Sequence, residues 1–175
     1  MNDLIVRPAS DDGDGDAIAA LIAEAFAEYE GCVFDRAAEF PELDAIASHF
    51  AARDGAIWVA EAAGTVLGSL AIAPSRDEGL ADGAMEITKV YVARSARRRG
   101  VARALYAWAR ALAEERAAPL IHLWTDTRFA DAHRFYESCG FVRLPGARAL
   151  GDLSATWEYP YSLALTSRSP ASPEG

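Results

Sequence analysis

The spacing of apolar residues along the chain predicts an alternation of strands and helices. Apolar positions from Ile18 to Tyr29 recur every three or four residues, which places them on one face of a helix. The run 85–93 is short and rich in β-branched residues, as expected of a strand. Strands are predicted at 4–7, 56–61, 66–72, 85–93, 120–124, 141–144 and 157–165, and helices at 18–29, 41–50, 101–116 and 130–138. This order predicts an α/β fold, with one mixed sheet and helices on both faces.

The composition is that of a globular domain. The chain has 175 residues, of which 51% are hydrophobic and 25% are charged, and this length is ordinary for one domain. We expect a single domain over residues 1–165 and a disordered tail over 166–175, which is rich in Ser and Pro. No apolar run approaches the roughly 20 residues of a membrane-spanning helix. With only two cysteines and no signal-like N-terminus, the chain is expected to be cytoplasmic.

The charged residues are unevenly distributed. The net formal charge is −9, so neither a nucleic-acid partner nor a membrane partner is expected. Residues 94–103 nevertheless contain five arginines and no acidic residue, which leaves −14 on the rest of the chain. Such a cluster is either an anion site or the solvated start of a helix. The acidic remainder favours cationic ligands.

The arginine cluster lies between a predicted strand and a predicted helix. The N-terminus of a helix presents unpaired backbone N–H groups and the positive end of the helix dipole. Gly100 permits close approach of the backbone to a ligand. The segment matches neither G-x-x-x-x-G-K-[ST] nor G-x-G-x-x-G. It is therefore predicted to bind a pyrophosphate without belonging to either of these nucleotide-binding classes.

Two segments of the chain carry the pattern of one superfamily. Arg97-x-x-Gly100-x-Ala102 follows the strand ITKVYVA and opens an amphipathic helix, and residues 132–141 read A-x-x-x-Y-x-x-x-G-F. Both segments resemble the GNAT superfamily of acyl-CoA-dependent N-acetyltransferases, whose pyrophosphate signature is R/Q-x-x-G-x-G/A. The resemblance covers roughly residues 4–165. It implies a bacterial enzyme of the small-molecule type, with a mostly antiparallel sheet that is splayed at the acetyl-CoA site.

The resemblance also implies which residues bind acetyl-CoA. In the superfamily, the pantetheine arm pairs with the strand before the signature loop, and the pyrophosphate rests on the amides of the loop. The residues expected to bind the cofactor are Val90, Tyr91, Val92, Arg97, Arg98, Arg99, Gly100, Val101, Ala102 and Arg103. Many members have an asparagine seven residues before the helix tyrosine, where this chain has Phe129. That contact is expected either to come from Thr125, Asp126 or a backbone carbonyl, or to be absent.

Two catalytic residues follow from the same resemblance. Tyr136 corresponds to the helix tyrosine that protonates the leaving thiolate, although periodicity alone would make it a core residue. Glu86 corresponds to a strand glutamate that is the general base in some branches and structural in others. An amine must lose a proton before it attacks a thioester, and a carboxylate can take that proton.

The acceptor pocket of the superfamily lies between the first helix–helix loop and the last strands. The residues that this assigns here are Tyr29, Glu30, Phe34, Asp35, Trp124, Trp157, Glu158, Tyr159 and Tyr161. Aromatic rings and carboxylates together suit a cationic amine. The alternative is that these residues are ordinary rim and core positions of an acidic protein.

Three functions remain open at this point. The first is acetylation of a primary amine of a small molecule, the second is acetylation of a protein N-terminus or lysine, and the third is non-catalytic binding of acyl-CoA. Homodimers are common among similar proteins, but the sequence does not define an interface. No metal site is predicted, because the three histidines are scattered and Asp12-x-Asp14-x-Asp16 lacks the glycine and the final carboxylate of a calcium loop.

Overall fold

Residues 4–165 are described by the computed structural model. The helices are α1 (Asp14–Phe26), α2 (Arg36–Glu39), α3 (Ile46–Ala52), α4 (Val101–Glu115) and α5 (Ala130–Ser138), with 3-10 turns at Pro41–Ala45 and Arg94–Ala96. The strands are β1 (Ile5–Pro8), β2 (Ala56–Ala62), β3 (Thr65–Pro74), β4 (Met85–Val92), β5 (Leu120–Asp126), β6 (Val142–Arg143), β7 (Arg148–Ala149) and β8 (Trp157–Ala164). The tail that was predicted to be disordered, 166–175, lies outside the described residues.

One mixed sheet connects all of these strands. The order is β1-β2-β3-β4-β5-β8-β6, and β7 pairs with β8. Neighbouring strands are antiparallel except β4 and β5, which run parallel and pair only at Met85–Ile121 and Glu86–His122. Beyond these two pairs β4 and β5 separate, although both strands continue. The predicted fold class is therefore confirmed: the sheet is mostly antiparallel and splayed at its centre.

A bulge in β4 follows the last residue pair that this strand shares with β5. The register between β3 and β4 shifts between Ser69 and Ala71, and Lys89 has a φ of 56°, which costs a non-glycine residue roughly 1–2 kcal/mol. Ser69 Oγ donates a hydrogen bond of 2.8 Å to the carbonyl oxygen of Lys89. Lys89 Nζ lies 2.6 Å from a carboxylate oxygen of Glu42. These contacts stabilise a bulge, and a bulge bends its strand away from a straight path.

Each face of the sheet packs against its own helices. On one face α4 contributes a buried stripe that includes Val101 and Leu105, and α5 adds Tyr136. On the other face α1 and α3 contribute Ile22 and Phe50 among others. Full burial of one such aliphatic side chain contributes roughly 1.5–3 kcal/mol. Two layers of helices therefore cover the sheet on both sides of its central opening.

One predicted helix ends earlier than expected, and two short elements were not predicted. α1 ends at Phe26, because residues 27–32 form turns closed by backbone hydrogen bonds such as Tyr29 N–H to Phe26 O (3.1 Å). Tyr29 therefore lies in a turn and not on the helix. α2 has four residues and β7 has two, and elements of this length carry too few positions to show a period in the sequence.

Candidate active site

The loop between β4 and α4 presents a row of free backbone N–H groups. Arg98 and Gly100 have φ values of 59° and 81°, which turn the chain into the first residue of α4. No acceptor within residues 4–165 takes the six N–H groups of residues 98–103. The dipole of α4 adds partial positive charge at the same place. Together these groups form a cradle that fits an anionic group such as a pyrophosphate.

A groove of about 480 Å³ extends from this loop along the edge of β4, and we call it the β4 groove. Nine of the ten residues predicted to bind the cofactor line it, namely Val90, Tyr91, Val92, Arg97, Arg98, Gly100, Val101, Ala102 and Arg103. The tenth, Arg99, is exposed and does not line the groove. The structure thus brings the predicted set together apart from one arginine side chain.

The opposite walls of the β4 groove come from α1 and α5. Tyr29, which was predicted to contact the acceptor, lines the groove together with Phe129 and Phe135. The rings of Tyr29 and Phe129 lie 4.9 Å apart between centroids. Phe129 therefore provides an apolar wall where many superfamily members have an asparagine. Asp126 is not free to replace that asparagine, because both of its carboxylate oxygens bind Arg128.

Arg97 directs its side chain to the turn that follows α1. Its Nη1 and Nη2 donate hydrogen bonds of 2.8 and 2.5 Å to the two carboxylate oxygens of Glu28. This contact lowers the pKa of Glu28, because the guanidinium stabilises the carboxylate. The charge of Arg97 is therefore balanced by the protein. Arg98 and Arg103 supply the further positive charge along the β4 groove.

Tyr136 is buried behind the wall of the β4 groove. Its side chain is 7% exposed, and its ring lies 5.6 Å from that of Phe135, which lines the groove. The rings of Phe141 and Tyr161 pack against it as well. Burial raises the pKa of Tyr136 well above that of a free phenol. The hydroxyl is therefore protonated at neutral pH.

Glu86 lies where β4 and β5 begin to separate. It is paired with His122 in the last register position that the two strands share. No hydrogen-bond donor or cation in the described part of the chain contacts its carboxylate. Burial, with the charge of Asp77 as a second cause, raises the pKa of Glu86 above that of a free glutamate. A carboxylate that is unpaired and has a raised pKa is a suitable proton acceptor.

A second polar cluster lies beside β5, and we call it the Trp124 cluster: Asp77, Trp124, Arg148 and Glu158. The guanidinium carbon of Arg148 lies 3.9 Å from the centroid of the Trp124 ring. Arg148 Nε donates a 2.8 Å hydrogen bond to Glu158, and Trp124 Nε1 donates one of 2.5 Å to Asp77. The charges of Asp77, Arg148 and Glu158 all act on the carboxyl of Glu86, so the cluster and Glu86 share one environment.

The other residues predicted to contact the acceptor do not all reach this cluster. Tyr159 lies on the opposite face of the sheet, beside His133, because successive side chains of a strand alternate between faces. Phe34 packs against Phe26 and Phe40, and Glu30 is exposed. Of the nine residues predicted to contact the acceptor, Trp124 and Glu158 belong to the Trp124 cluster. Sequence reasoning missed Asp77 and Arg148, which no motif marks.

The β7–β8 hairpin is joined to the segment between α1 and α3. The backbone N–H of Val33, between α1 and α2, donates a 2.8 Å hydrogen bond to Ser154 Oγ, between β7 and β8. The N–H of Leu153 donates one of 2.7 Å to Glu39. Arg128, which binds Asp126 at the end of β5, also donates to the carbonyl oxygen of Ser154. Separately, His122 is buried and bonded to Ser75 Oγ at 2.7 Å, as expected of a core histidine.

Residues 4–165 contain neither a membrane-spanning helix nor a cluster of metal ligands. No helix among them is long and apolar enough to cross a membrane. No group of three or more His, Cys, Asp or Glu side chains in that range is placed to hold a metal ion. The absence of a metal site in the whole chain stays a prediction.

A mixed sheet that opens beside a cradle of helix N–H groups defines the class of acyl-CoA-dependent acyltransferases. The family model described as "Acetyltransferase (GNAT) family" matches residues 18–141. This chain therefore belongs to the GNAT acetyltransferase family. No curated protein sequence matches it.

Solved structures from several bacteria share the fold. A GNAT-family acetyltransferase from Staphylococcus aureus Mu50 has a TM-score of 0.76 at 18% identity, covering 94% of this chain and 100% of that one. The yncA protein of Salmonella typhimurium, solved with its cofactor acetyl-CoA, has a TM-score of 0.75 at 19% identity, covering 99% of each chain. Ribosomal-protein-alanine N-acetyltransferase from Brucella melitensis has a TM-score of 0.72 at 22% identity, covering 93% of this chain and 100% of that one.

Family membership establishes the general activity. The protein is an acyltransferase, and acetyl-CoA is its cofactor. The residues present fit that cofactor, since the free N–H groups of 98–103 lie at the end of the β4 groove. The acceptor and the mechanism are addressed by the proposal below.

Proposed function

We propose that this enzyme transfers the acetyl group of acetyl-CoA to a primary amine of a small molecule. The amine attacks directly in a ternary complex, without a covalent enzyme intermediate. The observation that carries the proposal is the opening between β4 and β5. Residues of the β4 groove lie on its β4 side, and the Trp124 cluster lies on its β5 side. A donor and an acceptor bound in these two places meet across one opening.

The β4 groove supplies the contacts for the donor. Residues 98–103 offer N–H groups to the pyrophosphate, with Arg98 and Arg103 as additional positive charge. At Val90–Val92, the edge of β4 that faces β5 has no strand partner within the described residues. Apart from the carbonyl oxygen of Val92, which accepts a 3.3 Å hydrogen bond from Arg97 Nε, its backbone groups are therefore available to the amide groups of a pantetheine arm. When bound, acetyl-CoA supplies an acetyl group activated as a thioester.

We assign Glu86 as the general base. Its carboxylate has no competing partner within residues 4–165, and its raised pKa gives it a higher affinity for a proton than a free glutamate has. The proton of the acceptor ammonium passes to Glu86, directly or through water. The resulting neutral amine forms the new bond to the acetyl carbon as the bond from carbon to sulfur breaks.

We assign Tyr136 as the general acid. It is buried beside Phe135 of the groove wall, and its raised pKa keeps the hydroxyl protonated. Tyr136 gives its proton to the departing sulfur, and the second proton that the nitrogen loses as the amide forms restores the Tyr136 hydroxyl. The thiol that forms has a pKa of about 8.5, below the pKa of about 10 of a free phenol. A phenol is therefore a weak but workable proton donor to the thiolate. Proton transfer of this kind typically contributes about 10²- to 10⁴-fold to the rate.

Two joined segments near the end of β5 favour a small acceptor. Hydrogen bonds from Val33 to Ser154 and from Leu153 to Glu39 connect these segments, and Ser154 contacts Arg128 beside Asp126. We expect an extended protein chain to compete with these contacts more than a small amine does. Acetylation of a protein N-terminus is the alternative, and the name of the Brucella relative is its main support.

The test is an acetyl-transfer assay on a panel of small primary amines and N-terminal peptides, with the products identified by mass. We expect acetylated small amines. Tyr136→Phe should lower kcat about 10²-fold and leave the dissociation constant of acetyl-CoA unchanged. Tyr106→Phe is the matched control, because Tyr106 is also 7% exposed and its hydroxyl has no partner in the described residues.

Two results would contradict this proposal. Acetylation confined to the peptides would replace the small-molecule acceptor by a protein one. Equal turnover of Tyr136→Phe and Tyr106→Phe would remove Tyr136 from the mechanism and leave it as a core residue.

A further inference from the structure

Three residues of the Trp124 cluster, Asp77, Trp124 and Glu158, form a cation-binding box, and the Arg148 guanidinium occupies it. Arg148 lies 3.9 Å above the Trp124 ring. Its Nε binds Glu158 at 2.8 Å, and its Nη1 lies 3.7 Å from Asp77. Trp124 Nε1 fixes the Asp77 carboxylate beside the ring. An aromatic face bordered by carboxylates is the arrangement by which proteins bind organic cations.

Carboxylates outnumber the cation in contact with them. Asp77 and Glu158 share Arg148, and the nearby Glu86 has no cation in contact among the described residues. Arg128 adds no net positive charge to this region, because it is bound to both carboxylate oxygens of Asp126. This region is therefore short of positive charge, which favours a ligand with more than one cationic group.

Arg148 is also poorly anchored. It belongs to β7, which has only two residues, and its side chain is 38% exposed. Elements with few contacts and exposed hydrogen bonds open at low cost. A ligand cation can therefore take the place of the guanidinium without disturbing β5 or β8.

The box does not suit the amine that is acetylated. Trp124, Asp77 and Glu158 stabilise the charged form of any amine that they bind, which raises the pKa of that amine. A nucleophilic amine must instead be neutral. The box therefore suits a cation that stays charged throughout the reaction, while the reacting amine turns to Glu86.

We propose that Asp77, Trp124 and Glu158 bind a second cationic group of the acceptor in place of the Arg148 guanidinium. The acceptor is then a dication, with a primary amine joined to another ammonium or to a guanidinium. Arg148 is the internal competitor for this site, so monoamines with no second charge do not displace it. This inference rests on the proposed acetylation of a small amine.

The test compares 1,4-diaminobutane with butylamine, which has the same chain and one charge less. Calorimetric titration of the protein without acetyl-CoA should show at least about tenfold tighter binding of the diamine. Arg148→Ala, which removes the internal competitor, should tighten diamine binding several-fold more. Arg148→Gln, which keeps the side-chain length, serves if the alanine variant does not fold. Arg110→Ala is the control, because Arg110 lies on α4 and pairs with Glu114, away from the Trp124 cluster.

Equal affinity of the native protein for both amines would overturn the inference, as would weaker diamine binding by the Arg148 variants. Kinetics separate it from the proposed function. If butylamine is acetylated with the same kcat/KM as the diamine, the second cation site is refuted while amine acetylation stands. If the diamine binds as expected and no amine is acetylated, the proposed function fails while the cation site stands.

Discussion

The β4 groove and the Trp124 cluster are built in different ways. Most residues that line the β4 groove belong to the consecutive segment 90–103. The groups of this groove that bind an anion are backbone N–H groups. The Trp124 cluster takes one side chain each from the β3–β4 connection, β5, β7 and β8. The first site therefore depends on the path of the chain, and the second depends on the identity of side chains that the fold brings together.

This difference has a consequence for what each site recognises. Backbone N–H groups are the same in every sequence that follows the same path, so the β4 groove fits a cofactor common to many enzymes. The contacts of the Trp124 cluster are made by side chains, so they depend on which residues stand at those four positions. We infer that donor recognition is general in this fold, while acceptor recognition belongs to the individual chain.

The largest expected effect separates chemistry from binding. Glu86→Gln should lower kcat about 10²-fold at neutral pH and leave the affinity for acetyl-CoA unchanged, because Glu86 is not part of the β4 groove. The raised pKa of Glu86 means that the native rate should rise with pH through a pKa above that of a free glutamate. The variant should lack this rise. A pH–rate profile of the same shape in both proteins would contradict the assignment.

The same substitution should stabilise the fold. A folded-state pKa that is raised means that the folded protein binds the proton more tightly, so stability is lost as the pH rises through the pKa of Glu86. Glu86→Gln removes an unpaired carboxylate and should gain about 1 kcal/mol at neutral pH. The gain should vanish in acid, below the unfolded-state pKa, where Glu86 is protonated in both states. Thermal melts over this pH range provide the measurement.

A smaller effect tests whether the path of the backbone determines donor binding. Gly100→Ala forces a non-glycine residue into a φ of 81°, which costs about 1 kcal/mol. Gly64→Ala imposes the same strain at a φ of 75° in the β2–β3 turn, and neither Cβ meets another atom within 4 Å. Both variants should lose similar stability in denaturant titrations. Only Gly100→Ala should weaken acetyl-CoA binding, by about tenfold.

Equal acetyl-CoA affinities in the two glycine variants would show that the conformation at Gly100 does not matter for the cofactor. The comparison between the two sites would then lose its basis, since the β4 groove would depend on side chains as well.

The sequence predicted the β4 groove better than the Trp124 cluster, and the reason is local. Residues 97–102 form a contiguous pattern whose loop and helix N-terminus follow from the neighbouring residues alone. By contrast, Asp77 and Arg148 lie in irregular or two-residue segments whose position depends on the register of β8. Tyr159 was predicted beside Trp124, but the alternation of β8 places it on the other face. Such placements require the assembled sheet.

The smallest expected effect concerns the ion pair between Arg97 of the β4 groove and Glu28. Glu28→Gln should cost only about 0.2–1 kcal/mol, because the ion pair with Arg97 is partly exposed and screened by solvent. The pKa of Glu28 is lowered in the fold, so this contribution is present above the unfolded-state pKa and is lost as the pH falls through the folded-state pKa. The stability difference from the native protein should therefore disappear in acid.

The same variant should improve donor binding. Without its carboxylate partner, Arg97 is free to add charge to the pyrophosphate, so Glu28→Gln should bind acetyl-CoA a few-fold more tightly at low salt. The advantage should fade as salt is added, because the extra contribution is electrostatic. Glu114→Gln is the control, since it breaks the exposed pair with Arg110 elsewhere on α4. Weaker binding by Glu28→Gln at every salt concentration would show instead that Glu28 positions the loop, and that the path of the backbone at this site depends on one side chain from the turn after α1.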